Sequence, residues 1–252
     1  MTVGVIRKQG TINMKDNNQI KAIFFDAADT LFRVKAGVGK TYWDVARKYG
    51  VDSTPEQIEK AFSKAFKSAP PLAFPGVVDP KEIKVLEKKW WYGVVKRVFS
   101  EIETFEKSDD YFDELFETFR SRAWELFPET KDVLESLKKK DFTLGVISNF
   151  DSRIYDVCAD LGIMDYFDSF VISSETGFAK PFSEIFSMVL KRNDVYPSEA
   201  IHIGDSLQLD FYPARSVGIN SVLLDREEKY KGMSGVVRIE TLTEVTGFVD
   251  GE

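Results

Sequence analysis

Cysteine and histidine are almost missing from this chain: Cys158 and His202 are the single examples of each among 252 residues. One cysteine excludes an internal disulfide and points to a reducing compartment. No activating base lies near Cys158 on its helix, so it reads as a small core residue. His202 falls inside Ile201-His202-Ile203, a strand-interior position. No apolar run approaches eighteen residues, and the N-terminal segment lacks the apolar block of a signal peptide. A soluble, cytoplasmic protein without a membrane partner is expected. An excess of positive charge is missing too. The 34 Lys and Arg against 41 Asp and Glu give a net charge of -7, whereas phosphate-backbone binding needs a cationic field, so a nucleic-acid partner is not expected.

Apolar bulk, by contrast, is plentiful. Hydrophobic residues make up 43% of the chain and include 21 Phe, enough for a large core domain carrying a smaller insertion. Residues 1–18 show no sustained periodicity and read as a loose tail or a cloning remnant. Ile23-Phe24-Phe25 reads as a buried strand. From about Lys35 the period becomes helical: Tyr42, Val45, Ala46 and Tyr49 share a face, and Gly50 supplies a stop. Thr54-Pro55 with Gln57 forms a capping box with proline at the first helical position. Asp79-Pro80 with Glu82 opens another helix, and a fourth begins near Ser108, with Phe112, Leu115, Phe116 and Phe119 on one face. From Pro128 helices alternate with short strands over 142–147, 169–172, 200–203, 221–224 and 237–239. That alternation predicts an α/β fold, a doubly wound parallel sheet with an inserted α-helical cap. The expected division is core over 19–35 and 124–252, and cap over 36–123.

Polar residues collect where the strands end. Asp26 follows the first strand, Ser148-Asn149 the second and Gly204-Asp205 the fourth, while Lys180-Pro181 precedes the helix after the third and Asp210 lies close behind Asp205. In a parallel sheet these ends share one edge, where open α/β sheets place ligands. Three acids so close need a cation between them, and hard oxygen ligands in that number suit Mg²⁺. A magnesium ion with a lysine is also what a phosphoryl group requires, and a carboxylate aimed into such a site can act as its nucleophile.

Asp26 to Thr30, Ser148, Lys180 with Pro181, and Gly204-Asp205 with Asp210 resemble, in order, the four motifs of the haloacid dehalogenase-like superfamily. The likeness covers the core, and the helical block resembles that family's cap inserted after motif one. The resemblance implies that Asp26 is nucleophile and metal ligand, with the Ala28 carbonyl and Asp205 as further ligands. Asp210 would be a ligand or orient the metal's waters. Ser148, Asn149, Thr30 and Lys180 would contact a small phosphorylated substrate, with Lys180 also steadying Asp26.

One departure stands inside motif one. Phosphatases of the family carry a general acid two places after the nucleophile, where this chain has Ala28. Asp29, one place later, is the candidate replacement, although a one-residue shift in a tight loop turns the side chain elsewhere. Without an acid, a leaving group that is stable as an anion suffers least. The family's dehalogenases usually have Ser and Asn in motif four, so the intact Gly204-Asp205 favours a metal-dependent reaction. A phosphonate hydrolase would need a cap lysine as a Schiff base, and Lys60, Lys64 and Lys67 lack the apolar setting for one. A catalytically weak relative that uses the site for binding or regulation is the alternative from another class.

Overall fold

In the computed structural model, which describes residues 19–102 and 108–249, the chain opens with strand β1 (Ala22–Phe25). The tail expected over 1–18 lies outside the described residues. After β1 come a short strand β2 (Phe32–Val34) and helices α1 (Val38–Ala46), α2 (Pro55–Lys67), α3 (Pro80–Ser100) and α4 (Ser108–Thr118), then strand β3 (Trp124–Leu126). The helix starts follow local chemistry. Thr54 and Gln57 form the reciprocal capping box of α2, and the Lys81 N–H donates to the Asp79 carboxylate at 3.0 Å. Gly50 takes the left-handed conformation that closes the turn after α1.

The remaining elements alternate. They are α5 (Thr130–Lys139), β4 (Thr143–Ser148), α6 (Arg153–Asp160), β5 (Ser169–Ile172) and the single turn α7 (Ser173–Thr176), followed by α8 (Ser183–Arg192) and β6 (Ala200–Gly204). Helix α9 (Tyr212–Ser216), β7 (Asn220–Leu224), β8 (Arg238–Ile239) and α10 (Val245–Val249) complete the described chain. Six strands pair in the order β5-β4-β1-β6-β7-β8, and every pairing is parallel. The expected α/β doubly wound sheet is therefore present. With β1 at its centre, the chain builds outward first on one side and then on the other, so the switch point lies where β1 ends.

All four residues of β1 are buried, and the period of two divides them between faces. Ile23 and Phe25 join the cluster packed under α5, α6 and α10, while Ala22 and Phe24 join the opposite cluster with Ile185, Phe186 and Val189 of α8. Helices α1 to α4 bury a third cluster among themselves, including Tyr42, Ile58, Val94, Tyr111 and Leu115. No helix among the described residues is long and apolar enough to cross a membrane.

Two features differ from the sequence pattern. Strands β2 and β3 pair antiparallel, Phe32 opposite Leu126 and Val34 opposite Trp124, forming a two-stranded ribbon at the root of the helical block. The helix expected to end near Gly218 is only five residues long and is preceded by a wide π turn over Leu207–Phe211.

Candidate active site

The backbone N–H of Asp26 donates to the carbonyl of Ile203 at 2.9 Å, continuing the β1–β6 ladder one residue past the strand. Its carboxylate consequently emerges at the carboxyl edge of the sheet. The loop then folds back: Leu31 N–H donates to Ala27 O at 2.8 Å, and Asp29 N–H donates to Phe32 O at 2.7 Å. Asp29 accommodates the turn at φ 61°, the left-handed region that Asp enters more readily than most residues.

Asp26 is buried, and one of its oxygens takes two hydrogen bonds, from Ser148 Oγ at 3.0 Å and from Lys180 Nζ at 2.8 Å. Lys180 reaches on to Asp210 Oδ1 at 2.6 Å, so a single ammonium bridges two carboxylates. Burial opposes charge on all three groups. For Asp26 it prevails, raising the carboxyl above its ordinary range against the pull of Lys180. For Lys180 the two carboxylates outweigh it and hold the ammonium firmly charged. For Asp210, burial is overcome by Lys180 and by the hydrogen bond with His202, leaving the carboxyl at about 2.

Lys180 offsets the charge of Asp205 only weakly. Burial raises its carboxyl to about 7, and repulsion from Asp26 and Asp210 adds to the rise. Ligand oxygens of Asp26, Asp205 and Asp210 lie within 4.8 Å of one another. Three oxygen donors with one ammonium leave an excess of negative charge that a divalent cation would neutralise, so these side chains fit such a group.

The four sequence-predicted strand ends thus converge. Asn149 clips the lysine: its Oδ1 accepts from Lys180 N at 2.7 Å, and its Nδ2 donates to Lys180 O at 2.9 Å. Thr30, expected to touch substrate, is fully buried, and its carbonyl accepts from Arg226 at 3.0 Å. Ala28 and Asp29 line a cavity of about 260 Å³ between the loop and the helical block. Its surroundings and the repulsion of Asp26 raise the Asp29 carboxyl. Arg33 and Arg47 form exposed ion pairs with Glu125 and Asp44.

Other residues support the site. His202 Nε2 lies 3.0 Å from Asp210 Oδ1, so this strand residue is structural, as its setting implied, and also supports the site. Gly204 is required by space, since a Cβ there would stand 2.3 Å from Asp210 Cγ. A further network joins α3 to the loop after β4. Glu87 accepts from Ser152 N at 2.9 Å and Ser152 Oγ at 2.6 Å, and Trp91 Nε1 donates to Asp151. Asp151 also pairs with Arg153 at 2.6 Å, whose guanidinium lies 4.0 Å from the Phe116 ring centroid. Nothing in the local pattern around Glu87 or Trp91 marks them, because their partners lie more than fifty residues away.

Comparison with known proteins agrees with this arrangement. The family model for haloacid dehalogenase-like hydrolase matches residues 20–218. The haloacid dehalogenase-like hydrolase domain-containing protein 3 of Xenopus laevis is 32% identical over 208 residues, covering 81% of this chain and 84% of that protein. Its Danio rerio counterpart is 30% identical, covering 84% and 88%. Among solved structures, a HAD phosphatase from Thermococcus onnurineus superposes with a TM-score of 0.66 at 24% identity, covering 92% of this chain and 99% of the other. A 2-haloacid dehalogenase from Pseudomonas syringae pv. Tomato DC3000 gives 0.64 at 24% identity with the same coverage. These two likenesses speak to the fold, which both chemistries share. With its motifs in order on one sheet edge and a family match over most of its length, the chain belongs to the haloacid dehalogenase-like hydrolases.

Proposed function

We propose that this protein is a Mg²⁺-dependent hydrolase that transfers a phosphoryl group from a small phosphorylated molecule to Asp26 and then to water. The observation that carries this reading is Lys180 bridging Asp26 and Asp210, with Asp205 beside them and short of positive charge. An Asp205 side chain in motif four, with no Ser-Asn pair in its place, supports metal-assisted phosphoryl transfer over dehalogenation. Lys60, Lys64 and Lys67 are exposed, and none is in the cavity wall, which speaks against a Schiff-base route.

In this reading Asp26, the Ala28 carbonyl, Asp205 and Asp210 hold the ion, which when bound offsets charge on the phosphoryl oxygens. One Asp26 oxygen attacks phosphorus, and the bond to the leaving oxygen breaks with its electron pair departing on that oxygen. Water then attacks the phosphorus of the aspartyl-phosphate and releases the carboxylate. Ser148 and Lys180 orient Asp26, and the ammonium balances charge on the transferred group.

Asp29 lines the cavity beside Ala28 with a raised carboxyl, which favours a second reading, in which it protonates the leaving oxygen in place of the absent acid. Turnover of phenyl, acetyl and glycerol phosphates with and without Mg²⁺ tests the function. Activity that needs Mg²⁺ and disappears in Asp26→Asn supports it, and Mg²⁺ binding without turnover of any ester supports a binding role. In Asp29→Asn, loss of roughly 10²- to 10⁴-fold on glycerol phosphate alone marks Asp29 as the acid.

A further inference from the structure

The cavity that begins at Ala28 is walled by Phe62, Phe66, Trp91, Phe116 and Phe119 of the helical block, with Trp124 beneath. Phe66 stacks on Phe62 and Trp91 at centroid separations of 5.4 and 6.0 Å and interplanar angles of 23° and 27°. Its polar groups are largely engaged with the protein. Trp91 Nε1 donates to Asp151, Trp124 Nε1 donates to Phe119 O, and the Asn149 amide holds Lys180. The charged side chains in the wall are Asp29 and Arg153, and Arg153 is paired with the fully buried Asp151 and donates to Phe116 O.

A polyol leaving group would lose water here with few groups to replace it, and a carboxylated one would meet no free cation. A flat apolar group meets ring faces and edges. At about 260 Å³ the space exceeds the roughly 150 Å³ in which an apolar cavity already holds benzene. Position adds a chemical constraint. The cavity meets the catalytic loop at Ala28, where the usual acid is missing, so an occupant that receives no proton from Asp29 departs best as a stable anion. Phenolates satisfy both demands.

We propose that the cavity takes a neutral, planar, apolar group and that the substrate is an aryl phosphate, an assignment of substrate class that rests on the function proposed above. The Asp26–phosphorus bond forms as the phosphorus–aryl oxygen bond breaks. The electron pair leaves on the phenolate, which takes its proton from water. Hydrolysis of the aspartyl-phosphate then yields inorganic phosphate.

Phenyl and 4-carboxyphenyl phosphate compared on the Mg²⁺-loaded protein separate cavity preference from leaving-group reactivity. The expected kcat/KM is at least roughly tenfold higher for phenyl phosphate, the scale of discrimination that one altered group in an apolar pocket provides. Binding of 1-naphthol, read from quenching of tryptophan fluorescence, is expected to saturate, to be competitive with phenyl phosphate, and to weaken in Phe66→Asp. Phe66 is 44% exposed, so this change spares the core. Equal or better use of 4-carboxyphenyl phosphate, or no saturable 1-naphthol binding by the wild type, overturns the assignment. If 1-naphthol binds but no phosphate ester is turned over, the hydrolase reading falls and the cavity's ligand class stands.

Discussion

Asn149 and Lys180 are joined by two hydrogen bonds, amide oxygen to backbone N–H at 2.7 Å and amide nitrogen to backbone carbonyl at 2.9 Å. The pair locks the backbone from which Lys180 reaches Asp26 and Asp210. Replacing Asn149 by Leu removes both bonds while nearly keeping the volume. The expected result is a fall in kcat of about tenfold or more with smaller change in KM, since positioning errors near 1 Å already cost on the order of 10²-fold. Steady-state kinetics on phenyl phosphate check this, and an unchanged kcat would show that Lys180 is held by other means.

Gly204 abuts Asp210 so closely that a methyl group cannot fit without moving the carboxylate. Asp210 accepts from Lys180, is hydrogen-bonded to His202 and also accepts from Ser206 N at 3.2 Å. Gly204→Ala is therefore expected to destabilise by about 1–3 kcal/mol, the usual cost of overpacking, and to lower activity further by displacing Asp210. Urea unfolding combined with kinetics tests both parts. A variant as stable and active as wild type would mean that the backbone yields instead.

Glu87 is buried where α3 meets the loop after β4, and burial raises its carboxyl despite hydrogen bonds from Ser152. Because the folded value lies above the ordinary 4.5, the fold favours the protonated form. The stabilisation is full below 4.5 and is lost as pH rises through the folded value. The stability of wild type relative to Glu87→Gln is expected to increase as pH falls through this window and then to level off. Denaturant titrations at several pH values measure it, and a difference independent of pH contradicts the assignment.

Cys158 is fully buried on α6, and burial pushes its thiol up to about 12. It is expected to resist alkylation by iodoacetamide at pH 8 in the native protein and to react once unfolded, since the thiolate is the reactive form. Mass spectrometry reads the outcome, and rapid native labelling would place the thiol in a more open setting.

How far the sequence reaches depends on the range of the interaction. The buried run of β1, the capping box at Thr54 and the strand ends at Asp26, Ser148 and Asp205 are local patterns, and parallel topology brings the last three together. The β2–β3 ribbon escapes because each strand has three residues and its partner lies about ninety positions away. The two hydrogen bonds between the Asn149 amide and the Lys180 backbone span 31 positions, beyond any local pattern. His202 read only as a strand residue. Its contact with Asp210 depends on the π turn that brings residue 210 back over the end of β6, and no periodicity announces that turn.

The most direct measurement is acid quenching of the Mg²⁺-loaded protein during turnover of phenyl phosphate, followed by peptide mass spectrometry. A single phosphoryl group on the Asp26 carboxyl, labile to hydroxylamine and absent from Asp26→Asn, is the expected result. Turnover that persists in Asp26→Asn with no phosphorylated aspartate would contradict Asp26 as the nucleophile.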